Sequence, residues 1–229
     1  MQMWCFQHSE RVRPLDVERW ATDRGVELQV VRVDLEPLPD PAVVEQLIVL
    51  GGQMNTDQVE QHPWLDAERD FLRALVARPT PRIVGICLGA QLLAEVLGGS
   101  VGRAEHPEIG WHRLELTPAG QRSPVFGTLE PSFDAFEWHG DAWTLPPGAE
   151  LTVTGATCAT QAFSWDGRVH GVQFHPEFTF ARTTELAATT ADDLTRGGAV
   201  QAAHQFLADP TRFDQLTSKL DTVLDAAFS

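Results

Sequence analysis

The chain has 229 residues, of which 43% are hydrophobic and 21% are charged. These proportions are ordinary for a globular protein with a large apolar core, and they exclude disordered, collagen-like and coiled-coil chains. Seventeen basic against thirty-two acidic residues give a formal charge of −15, which repels phosphate backbones and argues against nucleic-acid binding. No apolar run is long enough to span a membrane, and the first residues do not resemble a signal peptide.

The residue types that are rare or missing restrict the possible chemistry. Three cysteines are too few for a disulfide framework and predict a reducing, cytoplasmic location. The only lysine is Lys219, which no glycine-rich turn precedes, so the common ATP-binding loop is absent from the sequence. Tyrosine is also absent. Catalysis would therefore use cysteine, histidine, carboxylates, serine or the backbone, and we predict no cofactor.

Strand and helix patterns alternate over the first hundred residues. Short runs rich in branched apolar side chains predict strands at 28–33, 47–50 and 82–86. Apolar residues at helical spacing predict helices at 15–24, 65–76 and 90–97. Repeated β-α-β units of this kind predict a largely parallel central sheet with helices on both faces, an α/β fold.

The sequence pattern changes after about residue 100, where short strands and turns replace the alternation of strands and helices. Short strands are predicted at 114–117, 150–154, 161–165 and 168–174, with a hairpin turn at Asp166-Gly167. They indicate a small antiparallel part. The last fifty residues predict two or three surface helices, which would form a helical C-terminal tail.

A glycine–cysteine–glycine motif stands where a buried strand is predicted to turn into a helix. The segment Gly85-Ile86-Cys87-Leu88-Gly89 is the cysteine form of a nucleophile elbow. The glycines permit a sharp turn, and the following helix N-terminus stabilises a thiolate. The backbone N–H of Leu88 would point to where an oxyanion develops on a substrate. The alternative is a buried cysteine in an ordinary strand-turn-helix segment.

A glycine pair, Gly51-Gly52, directly follows the predicted strand 47–50. Such a pair lets the backbone approach a ligand without interference from side chains. It could therefore supply a second oxyanion N–H from the neighbouring strand, although an ordinary turn explains the same two residues.

A histidine and a glutamate follow the predicted strand 168–174. His175 and Glu177 are two residues apart, so both project to the same side of an extended chain. The imidazole can accept the thiol proton, and the carboxylate can orient the ring and stabilise imidazolium. The order Cys87, His175, Glu177 differs from the nucleophile, acid, histidine order of α/β-hydrolases, which separates this chain from lipases and esterases.

A metal site formed by His170, His175 and Glu177 must be weighed as well. Residues five apart on a strand face opposite sides, so the two histidines could not chelate one ion there. No other cysteine or histidine pair has zinc-ligand spacing, and we predict no metal. Five further histidines are predicted to be surface or packing residues: His8, His62, His106, His112 and His204.

With these motifs in this order, the chain resembles a class I glutamine amidotransferase, of the stand-alone kind similar to the amidotransferase domain of GMP synthase. The segments that carry the resemblance are 47–54, 85–94, 108–111, 138–141 and 170–177. The resemblance implies a flavodoxin-like fold, an amidotransferase domain at 1–178 and a helical extension at 179–229 packed on the same domain.

The resemblance also implies a role for each residue of the catalytic machinery. Cys87 would be the nucleophile, His175 the general base and acid, and Glu177 its orienting partner. Gly52 and Leu88 would supply the two oxyanion N–H groups.

The substrate-binding residues follow from the same resemblance. Gln91 and the backbone around Trp138, Gly140 and Asp141 would hold the α-amino and α-carboxylate groups of glutamine. Asp141 adds a carboxylate that could bind the α-ammonium group. Glu108 is expected to be structural, holding the turn into the second half of the chain.

Two departures from relatives bear on function. Gln53 stands where many relatives have a proline after the two glycines, and it keeps its own N–H. The sequence also shows no Ser-Gly-Gly phosphate loop and no ATP pyrophosphatase domain of the kind found in complete GMP synthases, so we do not expect it to activate an acceptor with ATP by itself. A synthetase partner could receive the ammonia. The alternatives are a free-standing γ-glutamyl hydrolase and a non-catalytic module that binds or regulates a partner.

Overall fold

The computed structural model describes residues 2–190 and 197–229, which contain ten β-strands and seven α-helices. The first part of the chain forms β1 (Gln2–Gln7), α1 (Leu15–Asp23), β2 (Glu27–Arg32), β3 (Gln46–Val49), α2 (Trp64–Val76), β4 (Arg82–Ile86) and α3 (Leu88–Val96). The middle part forms β5 (Val101–Leu116), α4 (Pro118–Arg122), β6 (Ser132–Trp143), β7 (Ala149–Gly155), β8 (Ala162–Trp165) and β9 (Val169–Val172). The last part forms α5 (Phe180–Thr189), β10 (Ala199–Val200), α6 (Ala203–Phe206) and α7 (Thr211–Ala227).

All ten strands belong to one mixed sheet. Its parallel part has the order β2-β1-β3-β4-β9, which is the strand order of flavodoxin-like folds. The antiparallel strands β8, β7 and β5 continue the sheet beyond β9, and β6 pairs with β5. The predicted α/β fold, with a parallel centre and an antiparallel part, is confirmed.

The antiparallel part differs from the prediction in the length of its strands. β5 has 16 residues and β6 has 12, whereas the sequence predicts only the end of β5, at 114–117. The first half of β5 lies mostly exposed and contains a bulge between Arg103 and Glu108. It therefore lacks the alternation of apolar and polar residues from which a strand is predicted.

Helices cover both faces of the parallel strands. Ile48 and Leu50 face a cluster that includes residues of α1 and α7, whereas Leu47 and Val49 face a cluster that includes residues of α2 and α3. Because successive side chains of a strand point to opposite faces, this alternation places β3 between two apolar layers.

The C-terminal helix α7 is more than the surface helix that the sequence predicts. It buries Leu220, Val223 and Leu224 against the sheet, and Asp225 accepts a 2.9 Å hydrogen bond from the indole of Trp20 on α1. These contacts support our proposal that 179–229 extends the same domain. No helix in the described parts of the chain is both long and apolar enough to cross a membrane.

Candidate active site

Three neighbouring parallel strands bring the predicted functional residues to one edge of the sheet. β3, β4 and β9 lie side by side, and Gly51, Cys87 and His175 come after them in the chain. A Cβ placed on Gly51 would lie 3.2 Å from Cε1 of His175 and 3.5 Å from Cβ of Cys87. The structure therefore gathers these three residues around one small space, at the carboxyl edge where α/β sheets bind ligands.

Cys87 has a backbone conformation that L-residues rarely adopt, with φ 51° and ψ −106°. The close packing of the elbow explains the two glycines beside it. A Cβ on Gly85 would lie 2.6 Å from the backbone of Gly89, and one on Gly89 would overlap the carbonyl oxygen of Val49. The sequence thus folds into the predicted sharp turn, and strain of this kind is common at functional sites.

His175 is held in one orientation from three sides. Its Nδ1 lies 2.8 Å from Oε1 of Glu177, its ring packs on Phe178 with centroids 4.2 Å apart, and its backbone N–H donates to the carbonyl of Phe136 on β6. Nε2 has no hydrogen-bond partner within the described part of the chain. This nitrogen is therefore the one available for proton transfer.

The charge state of His175 follows from its neighbours. Burial disfavours the charged ring, but the Glu177 carboxylate and the Cys87 thiolate outweigh it and raise the pKa of His175 to about 10. The ring is therefore an imidazolium at neutral pH. An imidazolium beside a cysteine sulfur favours the nucleophilic thiolate and carries the proton that a leaving amine needs.

Two backbone N–H groups are available for an oxyanion. Leu88 is the first residue of α3, so its N–H has no acceptor within the helix. In the described residues, neither this N–H nor that of Gly52 donates a hydrogen bond. A Cβ on Gly52 would lie only 2.5 Å from Cδ2 of Leu88 and 2.9 Å from the sulfur of Met54, so a side chain at this position would have to displace the ends of both.

Two buried glutamines connect the nucleophile to β6. Nε2 of Gln173 lies 3.6 Å from Sγ of Cys87. Nε2 of Gln91 lies 3.4 Å from both Oε1 of Gln173 and the carbonyl oxygen of Asp141. Gln91 thus lies next to both Gln173 and Asp141, and its role in substrate binding stays a prediction. Gln173 is missed by sequence reasoning, because within a run of strand residues an amide side chain carries no pattern of its own.

Asp141 has a partner that the sequence does not indicate. Its carboxylate lies 2.8 Å from the guanidinium of Arg103 on β5, whose side chain is 65% exposed. The carboxylate expected to bind an α-ammonium group is therefore already paired with a cation. Of the neighbouring positions, Gly140 is half-buried on β6, and the ring of Trp138 packs against Phe136 and Phe206.

A buried polar cluster lies beneath this part of β6. His139 donates from Nδ1 to the carbonyl of Asp141 at 2.9 Å and from Nε2 to Glu108 at 3.0 Å. Glu108 also accepts from Gln161 at 2.8 Å. Burial opposes charging of His139, but Glu108 and Glu137 outweigh it and raise its pKa well above the usual value. Glu108 therefore holds β5 and β6 together through His139, which supports the structural role expected for it.

One group of potential metal ligands occurs in the described residues. Glu108, His139 and Cys158 each place a ligand atom within 4.8 Å of those of the others. The hydrogen bonds of Glu108 and His139 account for their arrangement without an ion. That no metal is bound stays a prediction.

Two histidines outside the predicted triad are buried and bonded within the fold. His8 is fully buried, and its ring bonds to Gly51 and Glu68. His170 is also buried, with Nδ1 2.9 Å from Oγ of Ser164 on β8. His170 and His175 thus have separate partners.

The stability of the protein at acidic pH tests whether His170 is buried and neutral. Burial and the nearby Arg82 lower the pKa of His170 from 6.5 to about 4. Below pH 6.5 the unfolded chain takes up a proton that the folded protein does not, so stability falls as the pH falls toward 4. We expect this residue to contribute about 3 kcal/mol to that loss. Urea denaturation across this range should show a smaller loss for His170→Gln than for the unmodified protein; equal losses would contradict the buried, neutral ring.

The three cysteines should differ in reactivity. Cys5 is fully buried, and burial raises the pKa of its thiol, while Sγ of Cys158 lies 3.7 Å from the carbonyl of Thr160. Only Cys87 lies at a helix N-terminus beside a histidine, so we expect iodoacetamide to modify Cys87 first. Peptide mapping after brief alkylation checks this expectation. Faster modification of Cys5 or Cys158 would contradict it, and Cys158→Ala is the matched control.

Comparisons with known proteins identify the family of the chain. The family model "Glutamine amidotransferase class-I" matches residues 17–190. The glutamine amidotransferase-like protein YfeJ of Salmonella typhimurium is 34% identical over 182 residues, which cover 77% of this chain and 75% of YfeJ. One subunit of the glutamine-hydrolyzing GMP synthase of Natronomonas pharaonis is 30% identical over 178 residues, covering 76% and 88% of the two chains.

Solved structures indicate the same family. A glutamine amidotransferase from Methylobacillus flagellatus superposes with a TM-score of 0.91 and is 28% identical. The superposition covers 99% of this chain and 94% of that one. The chain therefore belongs to the class I glutamine amidotransferase family.

Proposed function

We propose that this protein hydrolyses the γ-amide bond of glutamine or of a γ-glutamyl amide, with Cys87, His175 and Glu177 as catalytic triad. One observation carries the proposal. A cysteine on a strained elbow lies beside a histidine whose Nδ1 is bonded to Glu177 and whose Nε2 is unengaged in the described structure. This combination of nucleophile, base and orienting acid is typical of acyl transfer.

The first half of the reaction forms a thioester. The Cys87 thiolate attacks the side-chain carbonyl carbon, a C–S bond forms, and the carbonyl π electrons move to oxygen. The N–H groups of Gly52 and Leu88 stabilise this oxyanion. His175 then gives its Nε2 proton to the amide nitrogen, the C–N bond breaks, and ammonia or an amine leaves.

The second half restores the enzyme. His175, now neutral, takes a proton from water as the water oxygen attacks the thioester carbon. The C–S bond breaks, glutamate is released, and Cys87 returns to the thiolate beside imidazolium. The balance is one amide and one water converted to glutamate and ammonia or amine. Glu177 stabilises the imidazolium at each end of the cycle.

The α-amino and α-carboxylate groups of the substrate are proposed to bind beside β6. Gln91 and the backbone at Trp138, Gly140 and Asp141 border this region, and His139 fixes the Asp141 carbonyl from beneath. Because Arg103 already pairs with the Asp141 carboxylate, an α-ammonium group would share that carboxylate with the guanidinium.

Asp141→Asn tests this assignment. A charge-assisted hydrogen bond contributes about 1.5–3 kcal/mol, and each 1.4 kcal/mol is about a factor of ten, so we expect kcat/KM to fall about 10- to 150-fold. Sharing with Arg103 favours the lower end of this range. Glutamine turnover and melting temperature are measured for Asp141→Asn, with Arg103→Gln as the control that leaves the carboxylate in place. A less stable variant with unchanged kcat/KM would remove Asp141 from the binding site.

The fate of the ammonia distinguishes two forms of the proposal. The Natronomonas relative is named as part of a glutamine-hydrolyzing GMP synthase, which favours a synthetase partner that captures the ammonia. The alternative is a free-standing hydrolase of γ-glutamyl amines or peptides. An intact triad argues against a purely non-catalytic module.

The deciding experiment measures glutamate release by the purified protein from glutamine, γ-glutamyl-methylamide and a γ-glutamyl dipeptide. Turnover of glutamine that far exceeds that of the other two favours the amidotransferase component, and the reverse favours the free-standing hydrolase. Cys87→Ala is the control for each substrate. Release that is equal in this variant and the unmodified protein would overturn the proposed function.

A further inference from the structure

A buried histidine holds the glycine turn from the side away from the nucleophile. β1 and β3 pair in parallel with Phe6 opposite Val49, and continuing this register places His8 opposite Gly51. Nδ1 of His8 lies 2.8 Å from the carbonyl oxygen of Gly51. Because a carbonyl oxygen can only accept, Nδ1 carries a hydrogen and donates it.

This hydrogen bond fixes more than the carbonyl. The Gly51 carbonyl and the Gly52 N–H belong to the same peptide unit, and in a trans peptide they point in opposite directions. Holding the oxygen toward His8 therefore directs the Gly52 N–H the opposite way. Two successive glycines offer little steric resistance to a flip of this peptide, and Gln53 does not restrict Gly52 as a proline would.

The ring of His8 is itself held in place by α2. Nε2 lies 3.1 Å from each carboxylate oxygen of Glu68, and both side chains are fully buried. Trp64, one helical turn before Glu68, stacks on the ring with centroids 5.4 Å apart and an interplanar angle of 20°. Nδ1 donates to the Gly51 carbonyl and Nε2 faces the Glu68 carboxylate, an arrangement that favours a positive charge on the ring. Burial opposes this charge, but Glu68 and the Gly51 carbonyl outweigh it and raise the pKa of His8.

We propose that His8 and Glu68 are positioning residues that lock the Gly51–Gly52 peptide with its N–H directed to the oxyanion. The inference rests on the proposed function, since an oxyanion forms only if Cys87 attacks a carbonyl. A purely structural tie between β1 and α2 would affect stability and leave the rate constant of the folded enzyme unchanged.

Two amide variants of His8 separate these roles. In His8→Asn the amide nitrogen occupies the place of Nδ1 and keeps the bond to Gly51, whereas in His8→Gln it occupies the place of Nε2 and reaches Glu68 instead. Loss of one oxyanion donor costs about 100- to 1,000-fold in kcat. We expect His8→Gln to lose about 10- to 100-fold in kcat and His8→Asn to lose less than about fivefold, both with KM nearly unchanged.

Alkylation by iodoacetamide provides a second readout. This reaction displaces iodide at a saturated carbon and develops no oxyanion, so its rate at Cys87 should be the same in both variants and in the His204→Leu control. A lower kcat in His8→Gln, with an unchanged alkylation rate at Cys87, is the result expected if His8 holds the Gly51–Gly52 peptide in place. If His8→Gln does not fold, Glu68→Leu is compared instead, with an expected loss of about 3- to 10-fold in kcat.

The outcomes separate the two proposals. If the wild-type protein hydrolyses no γ-glutamyl amide, the proposed function and the lock are both overturned. If the wild-type protein is active but kcat in His8→Gln equals that in His8→Asn, or kcat in Glu68→Leu equals that of the wild-type protein, the lock alone is overturned. A lower melting temperature with an unchanged kcat assigns His8 a structural role and likewise overturns it.

Discussion

Replacing Cys87 with alanine is expected to lower glutamate release by at least about 10⁴-fold, since a triad acts as a unit and loses nearly all its rate with any essential member. Glutamine binding should persist, because the groups around Gln91 and Asp141 are untouched. Turnover and calorimetric titration with glutamine measure the two effects, with Cys158→Ala as the control. An alanine variant that retains a tenth of the rate would contradict Cys87 as nucleophile.

The strain at Cys87 adds a stability test to the same position. A non-glycine residue at φ 51° costs about 1–3 kcal/mol, which glycine avoids. We therefore expect Cys87→Gly to be as inactive as Cys87→Ala but more stable than it by about 1 kcal/mol. Chemical denaturation of the two variants measures the difference. A glycine variant clearly less stable than the alanine variant would contradict a strained elbow.

Replacing Glu177 with glutamine is expected to give the second largest loss, about 10²- to 10⁴-fold in kcat, because the imidazole loses its orienting charge. The pH profile should change as well. Burial favours the neutral ring, and the Glu177 carboxylate, together with the Cys87 thiolate, raises the pKa of His175 to about 10. Without that charge the imidazolium is lost at lower pH, so the alkaline limb of the rate profile should move to lower pH.

Glu108→Gln is the matched control for this prediction. Glu108 is also buried, but it bonds to His139 and Gln161, so its replacement should lower the melting temperature more than kcat. Near-normal rates in Glu177→Gln, or an alkaline limb that stays in place, would show that another carboxylate serves His175.

The sequence is most informative where one local pattern determines one local structure. The strand 82–86 is predicted with its observed bounds, because a short run of branched residues ends at the glycine-rich elbow. The positions of Cys87 and His175 follow from the same reasoning, since the carboxyl ends of parallel strands meet at one edge.

The parts that the sequence does not reveal depend on partners distant in the chain. His8 and Glu68 are 60 residues apart, Arg103 and Asp141 are 38 apart, and Gln173 lies 86 residues from Cys87. No local periodicity encodes such pairs, because they exist only once the strands are aligned. The first half of β5 is missed for a different reason. It is mostly exposed, so its side chains do not alternate between apolar and polar residues.

Trapping the acyl-enzyme tests the central claim most directly. The protein is mixed with glutamine, quenched in acid during turnover, and its cysteine-containing peptides are examined by mass spectrometry before and after treatment with hydroxylamine. We predict a γ-glutamyl group on Cys87 alone, removed by hydroxylamine as a thioester and absent from Cys87→Ala. In His175→Asn no base activates the water, so any thioester that forms on Cys87 should accumulate. Turnover without this adduct in either protein, or an adduct on Cys5 or Cys158, would contradict the mechanism.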